Sequence, residues 1–150
     1  MNGRVQGVRV PNDPVVRPAV WGTVAFTVAA ALAVADGALR GFVAIFDLVL
    51  FALGCLAFVR TLLVAAERSR TEELSVAGIW FLSKSAPPEI QRWLLGCLAV
   101  QTVAAFVTAG LRPYTSLAFG VLVPMFGVGL CGLWAVRSGS FPPRSLRRTD

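Results

Sequence analysis

Four long apolar stretches limit what this chain can fold into. They cover about residues 19–36, 42–66, 87–111 and 115–136. Each comes close to or exceeds the ~20 residues a helix needs to cross ~30 Å of hydrocarbon. The expected fold is all-α, an integral membrane four-helix bundle built of two transmembrane hairpins. Composition agrees: 15% of the residues are charged and 56% are hydrophobic, where a soluble domain carries charge on about a quarter of its residues.

Basic residues set the expected topology. Arg4, Arg9 and Arg17 precede the first span. Arg68, Arg70 and Lys84 lie between the second and third, Arg92 sits at the interface near the start of the third, and Arg137, Arg144, Arg147 and Arg148 follow the fourth. These three segments share one side of the membrane. The other side carries only Arg40 and Arg112. Short loops rich in Lys and Arg stay in the cytoplasm, so both termini are expected there, in a plasma membrane. The chain then divides into an N-terminal tail (1–18), a membrane domain (19–136) and a basic C-terminal tail (137–150). Ala33-Val34-Ala35 has the small-residue form of a leader cleavage site, but the expectation is an uncleaved first helix.

The loop over 67–86 is more than a connector. A mixed charge run, Glu67 to Glu73, leads into Leu74-Ser75-Val76-Ala77-Gly78-Ile79-Trp80-Phe81-Leu82. That stretch is too short to span. It suits either the headgroup plane, with Trp80 on lipid, or packing against the helix ends. Ser85-Ala86-Pro87-Pro88-Glu89 is a helix-start signal for the third span. Arg144, Arg147 and Arg148 are further candidates for lipid headgroup contact.

Charges inside a bilayer are the usual pointer to function. Arg60 lies near the end of its span and can snorkel. Asp47 lies about 8 Å below Phe42 at ~1.5 Å per residue, too deep for its short side chain to escape. Its carboxyl must be protonated, hydrated or paired. Asp36, Arg40, Asp47 and Arg112 sum to zero charge on the side poor in arginine. Asp36 and Arg40 are four apart and pair if one helix runs through both. That leaves Asp47 and Arg112 as an expected ion pair between hairpins, with a proton or cation site at Asp47 as the rival.

Other features concern packing. Gly120, Gly127, Gly129 and Gly132 thin one face of the fourth span, and Pro124 permits a kink there. That face suits internal packing, a membrane-protein partner, or self-association. Gln101 sits in mid-membrane in the third span and suits a hydrogen bond between helices. The chain has no histidine, and Cys55, Cys97 and Cys131 are single and lie within spans. No metal site, cofactor or catalytic residue is expected. The dispersed basic residues also lack the aromatic interleaving of a nucleic-acid surface.

Thirteen arginines stand against one lysine. With this bias, the run from Glu67-Arg68-Ser69-Arg70 to Ile79-Trp80-Phe81-Leu82, then Leu111-Arg112-Pro113-Tyr114 and Phe141-Pro142-Pro143-Arg144, resembles small multi-pass membrane proteins of actinobacteria. The resemblance implies a source and no activity. The expected role is therefore non-catalytic: an accessory or scaffolding subunit of a membrane or envelope complex, or a small oligomeric transporter or channel subunit using Asp47.

Overall fold

The computed structural model describes residues 13–143; residues 1–12, with Arg4 and Arg9, and residues 144–150, with Arg144, Arg147 and Arg148, lie outside them. The spanning helices are α1 (Val16–Ala35), α2 (Arg40–Arg68), α4 (Pro88–Leu111) and α5 (Pro124–Ser138), with a short α3 (Val76–Trp80) between α2 and α4. A 3-10 turn over Gly37–Leu39 joins α1 to α2, and a 3-10 segment, Ser116–Leu122, leads into α5. With that segment, α5 completes the fourth apolar span, so four helices are long and apolar enough to cross a membrane. The chain is an all-α four-helix membrane bundle.

Local chemistry explains the helix boundaries. α1 starts three residues before the expected 19, because the Asp13 carboxylate accepts from the Val15 and Val16 N–H groups that a new helix leaves unsatisfied. The fourth span changes pitch at Pro124. Proline has no N–H to return to the Gly120 carbonyl, which instead accepts from Val123 N at 3.0 Å. That i→i+3 bond is 3-10 geometry, and Leu117, Gly120 and Val123 are buried at its period of three.

The inward stripes recur every three or four residues. They are Val16, Ala19, Thr23, Phe26, Ala30 and Ala33 in α1, and Ile90, Leu94, Cys97, Gln101, Ala105 and Thr108 in α4. In α2 the stripe runs through Val43, Asp47, Leu50 and Gly54, passes the half-buried Phe58, and continues at Thr61 and Ala65. This spacing is that of helices packed side by side in a bundle. The first hairpin barely packs on itself. α2 lies mainly along α5, α1 lies mainly along α4, and the fourth span joins the two pairs. That span is the central one: 61% of its most apolar window is buried, against 28% for α1.

Glycine lets the centre close. A Cβ on Gly129 would overlap the Gly54 carbonyl, and one on Gly54 would lie 2.6 Å from the Met125 carbonyl oxygen. Gly132 faces Trp80 and Thr61, and Gly127 faces Gln101 and Leu98. The face of Gly120, Gly127, Gly129 and Gly132 is thus consumed by packing within the chain. Internal packing, one of the expected uses of this face, is what these glycines serve, against α1, α2, α3 and α4.

Candidate functional site

One end of the bundle carries Arg68, Arg70, Lys84, Arg92 and Arg137; the other carries Asp36, Arg40 and Arg112, with Asp47 deeper. At the sparsely charged end the expected pairs do not form. Asp36 is extended, with φ −116° and ψ 114°, and ends α1. No single helix therefore runs through Asp36 and Arg40, and the four-residue register is lost. The Asp36 carboxylate instead accepts from Ala38 N at 2.9 Å.

The two arginines there turn to the end of α1. Arg40 Nε donates to the Ala33 carbonyl at 3.3 Å, and Arg112 donates to the Val34 carbonyl at 3.4 Å. The last carbonyls of a helix lack intrahelical donors and carry the negative end of its dipole. That makes them natural acceptors for a guanidinium. Ser116 Oγ donates to the Arg40 carbonyl at 3.2 Å, tying the two turns of this end together.

Asp47 is separate from them. It lies seven residues beyond Arg40 on the inward stripe of α2, about 10 Å deeper at ~1.5 Å per residue. It is 1% exposed, and its Oδ1 has no hydrogen-bond partner among the described residues. Gly120 leaves space opposite: a Cβ there would lie 3.5 Å from both Asp47 Oδ2 and the Phe26 ring. The predicted Asp47–Arg112 ion pair is therefore wrong. Arg112 stays at the helix end, while Asp47 faces the packed interior.

A second polar point lies in the centre. Gln101 is fully buried and its Nε2 donates to Thr23 Oγ1 at 2.7 Å, across α4 and α1. Thr23 passes the bond on to the Ala19 carbonyl at 2.7 Å. Gln101 Oε1 is left without a partner among the described residues. Gln101 thus links α4 to α1.

At the basic end, 69–87 is ordered against the helices. The Trp80 ring stacks on Phe58, with centroids 4.6 Å apart and planes 15° apart, and it covers Gly132. Trp80 thus packs on α2 and α5, the alternative of packing against the helix ends, and stays half-buried. Arg68 is the anchor. Its Nε donates to Glu72 at 2.8 Å, Nη1 to the Val136 carbonyl at 2.8 Å, and Nη2 to the Gly139 carbonyl at 3.2 Å. The guanidinium also lies 5.3 Å from the Phe141 ring centroid. Glu73 N donates to the Pro142 carbonyl at 2.9 Å and Ser140 N to the Ser85 carbonyl at 3.2 Å. Ser85 Oγ donates to the Gly78 carbonyl. A cavity of about 520 Å³ opens between this loop and the C-terminal segment, lined by Glu73, Ser75, Ser83, Lys84 and Ser140 among others.

Sequence reasoning missed Asp13. Besides starting α1, its Oδ2 accepts from Trp134 Nε1 at 3.0 Å, which locks the start of α1 to α5. Asp13-Pro14 ahead of an apolar run was the available signal for the cap; the Trp134 contact had none. Among the described residues no three His, Cys, Asp or Glu side chains gather as a metal ion would require. Comparison with family models, curated proteins and solved structures finds no match.

Proposed function

We propose that this chain is a non-catalytic accessory or scaffolding subunit of a plasma-membrane complex, with both termini and the segment 69–87 in the cytoplasm. The observation that carries this reading is the platform at the basic end. A chain short of reactive groups spends Arg68, Trp80, Ser85 and the segment after α5 on fixing one loop in place. The fixed loop then presents Val76, 71% exposed, and Phe81, 60% exposed. Exposed apolar side chains on a packed loop, beside a cavity of mixed polar and apolar lining, suit recognition by a partner's cytoplasmic segment.

The test is co-purification of the full chain after mild detergent extraction. A stoichiometric partner is expected, and Val76→Ser with Phe81→Ser should release it while the helix content stays the same. A clean monomer under every mild condition, with no cross-linked neighbour in membranes, overturns the reading.

Asp47 favours a second reading, a small transporter or channel subunit. A buried carboxyl with an unpartnered oxygen, set against the 3-10 part of an interrupted helix, resembles the ion sites of transporters with broken helices. It predicts that Asp47→Asn abolishes proton or cation flux in proteoliposomes without unfolding the chain. Flux that survives the substitution, or no flux in the wild type, removes it.

A further inference from the structure

The seam between α1 and α4 is open along its outer side. Near the basic end it holds a trough of about 480 Å³ lined by Val20, Thr23, Val24, Gly96, Cys97 and Val100, with Arg92 and Trp93 at its mouth. A second trough of about 670 Å³ continues from Val100 towards Leu111. The first is apolar except at its mouth. Arg92 has no ion-pair partner among the described residues. Trp93 is 51% exposed beside it, in the second turn of α4, and aromatic side chains near the ends of spans favour the edge of the hydrocarbon.

Dimensions choose the occupant. From Arg92 to Val100 α4 rises ~12 Å, close to half of a ~30 Å hydrocarbon core. Spread over that rise, 480 Å³ is a trough of roughly 40 Å² in section. That is about half the section of a helix ~10 Å across, and it suits an acyl chain. Gly96 forms part of the wall, and a Cβ there would meet nothing within 4 Å. A phosphodiester at the mouth would find an arginine free to grip two of its oxygens.

We propose that this trough seats one anionic phospholipid of the leaflet bordering the basic end, its phosphate on Arg92 and an acyl chain along Gly96, Cys97 and Val100. The seat lies on a different face from the Val76–Phe81 platform and stands or falls independently of it.

The full-length chain in mild detergent tests this, by native mass spectrometry and thermal unfolding with added phosphatidylglycerol or phosphatidylcholine. The wild type should retain one phosphatidylglycerol and unfold at a higher temperature when it is added. A Cβ at Gly96 meets nothing within 4 Å, so the side chain of Gly96→Leu grows into the trough; the variant should keep helix content and elution volume and lose the bound lipid. Arg92→Gln should weaken phosphatidylglycerol binding about tenfold, the loss of one charge-assisted contact, and leave phosphatidylcholine binding unchanged. A folded Gly96→Leu chain that binds phosphatidylglycerol like wild type overturns the proposal. So does an Arg92→Gln chain with undiminished preference for it. If Gly96→Leu releases a co-purifying protein and leaves lipid binding intact, the seam is a protein contact and the proposal fails.

Discussion

Gly129 of α5 lies directly on the Gly54 carbonyl of α2, with no room for a side chain on either residue. In hydrocarbon the solvent gives helices little reason to associate, so van der Waals contact between backbones carries much of the cohesion. Gly129→Ala should therefore destabilise the bundle by about 1–3 kcal/mol, the usual cost of overpacking. Unfolding in detergent micelles measures it. Gly110→Ala is the matched control, because a Cβ at 110 meets nothing within 4 Å. It should be neutral or gain up to about 1 kcal/mol from helix propensity.

Arg68 gathers the ends of two helices and one side chain with a single planar fork. Arg68→Ala should cost about 1–2 kcal/mol, discounted for partial exposure. It should also speed hydrogen exchange at Gly139 and Ser140. Lysine has no planar fork, so Arg68→Lys should recover less than half of the lost stability. Full recovery by lysine would show that charge alone holds the segment.

Asp47 and Arg112 should behave as strangers. In a double-mutant cycle of Asp47→Asn and Arg112→Gln, the two effects on unfolding should add to within about 0.5 kcal/mol. Exchanging the two charges should rescue neither single substitution. A coupling well above 1 kcal/mol would reinstate the ion pair.

Gln101 and Thr23 should be coupled. A cycle of Gln101→Leu and Thr23→Val is expected to show an interaction of about 0.6 kcal/mol, typical of hydrogen bonds between membrane helices. Gln101→Leu alone should be nearly neutral, because it removes the unpartnered Oε1 together with the donor. A large loss from it would mean that Oε1 has a partner.

The four spans were legible because length and hydropathy are properties of the chain alone. The inward faces were not, since both sides of a membrane helix are apolar and periodicity fades. Small and polar residues held that information: Ala19, Thr23, Ala30 and Ala33 in α1, Gly54, Thr61 and Ala65 in α2, and Gln101, Ala105 and Thr108 in α4 all face inward. The charged cluster at the sparsely charged end was misread for a related reason. Counting charges offers arginine a carboxylate as partner, but Arg40, Arg112 and Arg68 all also reach the free carbonyls at a helix end. Those acceptors belong to every sequence, so no residue type announces them.

The central position of α5 bears on how the protein is made. It is the last of the four spans to leave the ribosome, yet it is the element that α2 mainly packs on and the one that carries Trp134 to Asp13, 121 residues earlier. A nascent chain interrupted before Pro124 would hold α1 beside α4 and leave the Gly54 face of α2 without its partner. The bundle can therefore close only after the last helix is in the membrane. Chains that fail at that step would be open to membrane proteases along α2, the helix left with least to hold it.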